Sequence, residues 1–223
     1  DFVVVITGDL ADNANRPGQR EEAARAVEEL EKRGFRVLVV PGNHDYGTGT
    51  MGNVKNVRLF KERFFKNPDI LYPKLDIVDH VAFIGLDSTA EELNWHDRIL
   101  AQGELGREQT EHLKNILEDQ EIRDMKKVIY LHHHPFDFKM GRQLKDSNKL
   151  KKVIEGRIDI LLFGHYHRSK TSVNKVLNGT WGIPRCYNAG TATNKNGNTG
   201  FHRIIDLSDP DPGTDYDGCF LQE

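Results

Sequence analysis

Two apolar runs flanking one stretch of helical period constrain this chain most. Residues 2–6 (FVVVI) and 35–40 (FRVLVV) are both short and apolar. Between them, residues 20–34 place Ala23, Ala24, Val27 and Leu30 on one helical face, and Gly34 stands where a C-cap glycine belongs. Glu28 with Lys32, and Glu29 with Arg33, are spaced to pair on the opposite, solvated face. Two strands joined through a helix cannot form a hairpin, so the crossover makes them parallel neighbours or near neighbours in a sheet.

The pattern continues along the chain. Residues 57–65 (VRLFKERFF) read as a short helix, 80–88 (HVAFIGLDS) as a strand, and 106–119 (GREQTEHLKNILED) as a helix with Leu113, Ile116 and Leu117 facing a core. A strand at 126–135 (KKVIYLHHHP), a helix at 146–156 (DSNKLKKVIEG) and a strand at 158–167 (IDILLFGHYH) follow. Residues 183–190 and 201–208 alternate like antiparallel strands and turns. The expected fold class is α/β. Residues 1–207 read as one domain, and 208–223 as an acidic tail broken by Pro210 and Pro212.

Composition narrows the function classes. The 223 residues carry a net charge of −3 without a basic block, which leaves no footprint for nucleic acid or an anionic membrane. No apolar run approaches the ~20 residues of a membrane helix, and the expected location is the cytoplasm. Cys186 and Cys219 are too few for a disulfide framework and lack the pairing of a zinc clip.

Four of the apolar strands end in ligand-type residues. These ends are Gly8-Asp9-Leu10-Ala11-Asp12, Gly42-Asn43-His44-Asp45, His132-His133-His134-Pro135 and Gly164-His165-Tyr166-His167. Taken singly, each has a plain alternative as a turn, a cap or an exposed histidine. Parallel strands, however, put their carboxyl ends along one edge, so the four clusters should converge. Aspartate oxygens, an asparagine carbonyl and imidazole nitrogens, without thiolate, suit a catalytic centre for manganese, iron or zinc. Two such ions ~3.5–4 Å apart clamp a phosphate and activate water, so phosphoester hydrolysis is the natural use.

At these residues the chain resembles the calcineurin-like metallophosphoesterase superfamily, whose ordered signature is Gly-Asp-x-x-Asp, Gly-Asn-His-Asp, a histidine before proline, and Gly-His-x-His. It is most similar to the cyclic nucleotide phosphodiesterase branch. The resemblance implies two mixed β-sheets packed face to face with flanking helices, and two divalent metal ions. It makes Asp9 the bridging carboxylate, with Asn43, one histidine of the triplet and His165 completing one metal shell. His167 belongs to the other ion. The family's ligand stands two positions before the proline, which selects His133, with His132 and His134 as the alternatives. Strand alternation would put those two on the side opposite His133. His44 would contact the substrate phosphate and protonate the leaving oxygen, with Asp45 orienting its imidazole and Asp12 supporting from behind.

One part of the signature is missing. No Asp-x-His occurs anywhere in the sequence, which removes two ligands of the first ion and makes its occupancy doubtful. The expectation is a chain lacking its first strand and helix at the N-terminus. The expected activity is hydrolysis of phosphodiesters such as cyclic nucleotides, by a hydroxide generated at the dinuclear centre. A phosphomonoesterase, a nucleotide pyrophosphatase and a non-catalytic scaffold of the same fold are the alternatives. His80, His96, His112 and His202 are expected at the surface or in packing, as are Trp95 and Trp181. The glycine-rich residues 46–53 read as a rim, and Lys139 and Arg142 as solvated cations.

Overall fold

The computed structural model describes residues 2–89, 102–136, 144–166, 181–192, 201–209 and 216–219. The expected crossover is present. Strand β1 (Val3–Ile6) and strand β2 (Arg36–Val39) pair in parallel, Val3 opposite Arg36, with helix α1 (Gln19–Lys32) between them in sequence. Helix α2 (Val54–Phe65) follows, and Arg63 ties it to α1 through Glu21 and Glu28, each at 2.8 Å.

A second sheet is ordered β3-β4-β5-β6-β7, from Lys74–Val78, Val81–Gly85, Lys126–Leu131, Ile160–Phe163 and Arg185–Asn188. Its first pair is an antiparallel hairpin and the remaining pairs are parallel. Helices α3 (Gly106–Glu118) and α4 (Ser147–Ile154) lie between its parallel strands in sequence. Strand β7 therefore runs parallel to β6, correcting the antiparallel expectation for residues 183–190. The stretch between Phe163 and Arg185 is long enough for a crossover, which strand alternation alone cannot reveal. Strand β8 (Phe201–Ile204) pairs antiparallel with β9 (Tyr216–Cys219), the latter from the segment expected as a tail.

Strand periodicity sorts the side chains into layers. Phe83, Val128, Tyr130, Ile160 and Tyr187 meet Val3, Val5, Leu38 and Val40, so the five-stranded sheet and the β1-β2 pair share a core face to face. The alternate residues along the same strands, Ala82, Ile84, Ile129, Leu131, Leu161 and Phe163, turn the other way, onto Leu113 and Leu117 of α3 and Leu150 and Ile154 of α4. Ile6, Val37 and Val39 turn outward onto Val27 of α1 and Phe60 of α2. Helices thus cover both outer faces, which leaves the strand ends as the place where polar residues can gather.

A candidate metal centre at the strand ends

The ladders persist past the strand ends. His132 O accepts from Gly164 N at 2.9 Å, and Ile6 O from Val40 N at 3.2 Å. Gly42 permits a close approach between the loops: a Cβ there would lie 2.2 Å from Asp9 Oδ1 and 2.8 Å from His132 Cε1. Asp9 (φ 56) and His165 (φ 64) are non-glycine residues in the left-handed region. That conformation costs of order 1–3 kcal/mol per residue and is characteristic of functional sites.

His132, His133 and His165 form a cluster whose ligand atoms all lie within 4.8 Å of one another. His132 Nδ1 is 2.8 Å from Thr7 O, a carbonyl that only accepts, so the neutral ring carries its proton on Nδ1. Its Nε2 lone pair then faces Asn43 Oδ1 at 2.9 Å, with Asp9 Oδ2 at 3.4 Å and His165 Nδ1 at 3.1 Å. Asn43 donates from Nδ2 to Gly49 O at 2.7 Å, which fixes Oδ1 as the atom turned toward the histidines. With His132 neutral, its Nε2 and the oxygens Asn43 Oδ1 and Asp9 Oδ2 are three acceptor atoms crowded together, an arrangement that a cation would relieve.

His133 adds a fourth donor. The residue is fully buried, its Nδ1 lies 2.9 Å from Ser88 Oγ, and its Nε2 has no hydrogen-bond partner. Burial first, then the neighbouring His132 and His165, hold its pKa well below the usual imidazole value, so the ring is neutral with a lone pair to give. The donor set of mixed nitrogen and oxygen fits a divalent transition ion. His134 is different, its ring packing on Phe163 at a centroid distance of 4.5 Å.

Two comparisons with known proteins bear on this arrangement. The calcineurin-like phosphoesterase family model matches residues 1–169. The chain belongs to that family. A dimetal phosphatase from Danio rerio is similar in structure, with a TM-score of 0.56 at 14% identity, covering 84% of this chain and 72% of that one. At that identity the likeness speaks for the fold. None of the curated proteins compared matches the chain.

As a calcineurin-like phosphoesterase, the protein is a metallophosphoesterase, a metal-binding hydrolase of phosphoesters with a small phosphoester as substrate. No helix among the described residues is long and apolar enough to cross a membrane. The site differs from the family-based expectation at two points. Histidines 132 and 133 both turn into it, because β5 ends at Leu131 and the two-residue alternation of a strand no longer applies beyond that point.

The other difference concerns Asp45. Its carboxylate accepts from Gly42 N at 2.9 Å, Ala11 N at 2.9 Å and Leu10 N at 3.2 Å, and so binds the β1 and β2 loops together. The orienting partner of His44 is instead the Asp12 main-chain carbonyl, 2.5 Å from Nδ1. Burial, and then the Asp9 carboxylate, push Asp45 up to about 7, against the pull of the three amides.

His167, the expected ligand of the second ion, lies outside the described residues, as do His96, Trp95, Lys139 and Arg142. His80 and His112 are exposed, and Trp181 is core, its ring 4.6 Å from Phe136. Sequence reasoning missed Thr7 and Ser88 as partners of the histidines. Ser88 was within reach, since β4 also ends in polar residues, Asp87-Ser88, at the same parallel-strand edge.

Proposed function

We propose that the chain hydrolyses phosphodiesters, cyclic nucleotides among them, at a centre for two divalent ions. Asp9, Asn43, His132, His133 and His165 would hold one ion, and Asp9 and His167 would contribute to the other. The carrying observation is the crowding of Asn43 Oδ1, His132 Nε2 and Asp9 Oδ2 beside the unpartnered His133 Nε2. The likeness to a protein described as a dimetal phosphatase supports the count of two. Bound there, manganese, iron or zinc supplies Lewis acidity toward the phosphoryl oxygens and toward water.

The chain's own groups supply the rest. Donation of the Nδ1 proton of His44 to the Asp12 carbonyl turns Nε2 away from that bond. A proton carried on Nε2 is then placed to pass to the departing alkoxide oxygen, and the short Nδ1 contact supports the ring while it is charged. A phosphodiester benefits from such an acid, because an alkoxide is a poor leaving group without a proton.

Product analysis tests the assignment. The chain is incubated with manganese and bis(4-nitrophenyl) phosphate, 4-nitrophenyl phosphate, or cyclic nucleotides. The proposal predicts that the diesters and cyclic nucleotides turn over faster than the monoester. Faster release from 4-nitrophenyl phosphate would make the protein a phosphomonoesterase, and no hydrolysis of any of the three would favour a scaffold.

A further inference from the structure

We propose that Gly49 is a positioning residue of this site, setting the His44 imidazole and the Asn43 carboxamide with one backbone unit; the proposal rests on the hydrolytic reading above. Residues 47–52 form a tight reversal, closed by a bridge between Gly47 and Gly52 and by Thr48 N donating to Met51 O at 3.0 Å. The turn is anchored to the β1 loop, with Ala14 N donating to Gly47 O at 3.0 Å and to His44 O at 3.0 Å. Thr48 and Thr50 are exposed, while Gly49 between them is buried. The turn thus presses its backbone inward and leaves its side chains in water.

Two contacts follow from that inward residue. Its carbonyl accepts from Asn43 Nδ2 at 2.7 Å, which selects the amide orientation that presents Oδ1 to the histidines. Its Cα covers one edge of the His44 ring: a Cβ there would lie 2.4 Å from both Cε1 and Nε2. With φ +87 and no room for a side chain, the position admits only glycine without displacing the imidazole. Nδ1 of the same ring is held from the other side by the Asp12 carbonyl. The imidazole is therefore gripped between two main-chain segments, and Gly49 couples its placement to that of a metal-site oxygen only one residue away in sequence.

The test compares Gly49→Ala with Gly34→Ala in the full chain. Gly34 has φ +90 and nothing within 4 Å, so its alanine variant carries the same backbone strain without a collision. Three readouts are taken: affinity for manganese, the His44 ring resonances of the metal-free chain, and kcat with manganese on bis(4-nitrophenyl) phosphate against diphenyl phosphate. The second substrate has the greater need of a proton on its leaving oxygen.

Gly49→Ala is expected to weaken manganese binding about tenfold, to shift the His44 resonances, and to lose about tenfold more rate on diphenyl phosphate than on the nitrophenyl ester. Gly34→Ala should lower the melting temperature through its backbone strain alone and move none of the three. Variants that cannot be told apart in affinity and resonances overturn the proposal. Should Gly49→Ala not fold, a nuclear Overhauser contact between Gly49 Hα and His44 Hε1 in the unaltered chain carries the test, and its absence overturns the proposal. If the unaltered chain cleaves neither diester, the phosphodiester reading fails, and metal affinity and ring resonances still judge Gly49.

Discussion

In the proposed reaction His44 would serve the chemistry and Ser88 the placement of a ligand. His44 is half-buried, with its proton-bearing Nδ1 on the Asp12 carbonyl and its ring outside the cluster of His132, His133 and His165. His44→Ala should therefore lower kcat by about 10²–10⁴-fold while leaving the amount of bound metal unchanged, as steady-state kinetics beside elemental analysis would show. Ser88 is buried and meets His133 twice, accepting from its backbone N at 3.1 Å and contacting Nδ1 at 2.9 Å. Ser88→Ala should weaken binding of the ion by about 10–100-fold with the fold intact, measured by calorimetric titration. An unchanged affinity would mean that His133 does not reach the ion. Asp45 stood out in sequence within Gly-Asn-His-Asp, but its partners did not, because three amides from two separate loops meet it only after the chain has folded.

At the scale of elements, the site depends on β1, β2, β5 and β6 ending along one edge, and the helices that cover the sheets hold those strands in register. Leu113 of α3 is fully buried against the outer face of the larger sheet. Leu113→Ala should cost about 2–5 kcal/mol in denaturant unfolding, through lost burial and the cavity left behind. Folded Leu113→Ala protein should still bind metal, since the residue touches the sheet face and not the strand ends. These elements were readable because helical and strand periods differ sharply, and because apolar runs closed by Asp, Asn or His mark strand ends. Strand β3 was missed, since residues 74–78 (KLDIV) are short and carry the half-buried Lys74. The hairpin that makes it a strand depends on Asp79 (φ 45) and His80 (φ 63) both adopting left-handed conformations, which the sequence signals only weakly. The direction of β7 was hidden for another reason: parallel and antiparallel neighbours of a buried strand read alike.

Across the whole molecule, carboxylates and imidazoles packed at one edge make stability depend on pH and on cations. Burial and Asp9 raise Asp45 from 3.8 to about 7. Between those values the folded chain holds a proton that the unfolded chain has released, so stability falls as pH rises through that window. The chelated protein should accordingly melt at a higher temperature near the acid end of the window than near its upper end, as far as this group contributes. A divalent ion adds positive charge beside Asp45, favours its ionised form, and should flatten or reverse that slope in a thermal scan. The family membership and the four clusters were legible in sequence. The meeting of both His132 and His133 with His165, and the Asp12 carbonyl's hold on His44, belong to the folded backbone.

Calorimetric titration of the chelated chain with manganese, repeated on Asn43→Ala and His165→Ala, tests the central claim most directly. The account predicts saturable binding by the unaltered chain and affinity weakened at least about tenfold in each variant, since Asn43 supplies an oxygen of the crowded set and His165 a nitrogen of the histidine cluster beside it. Undiminished affinity in both variants, or no saturable binding by the unaltered chain, would contradict a metal centre at these strand ends.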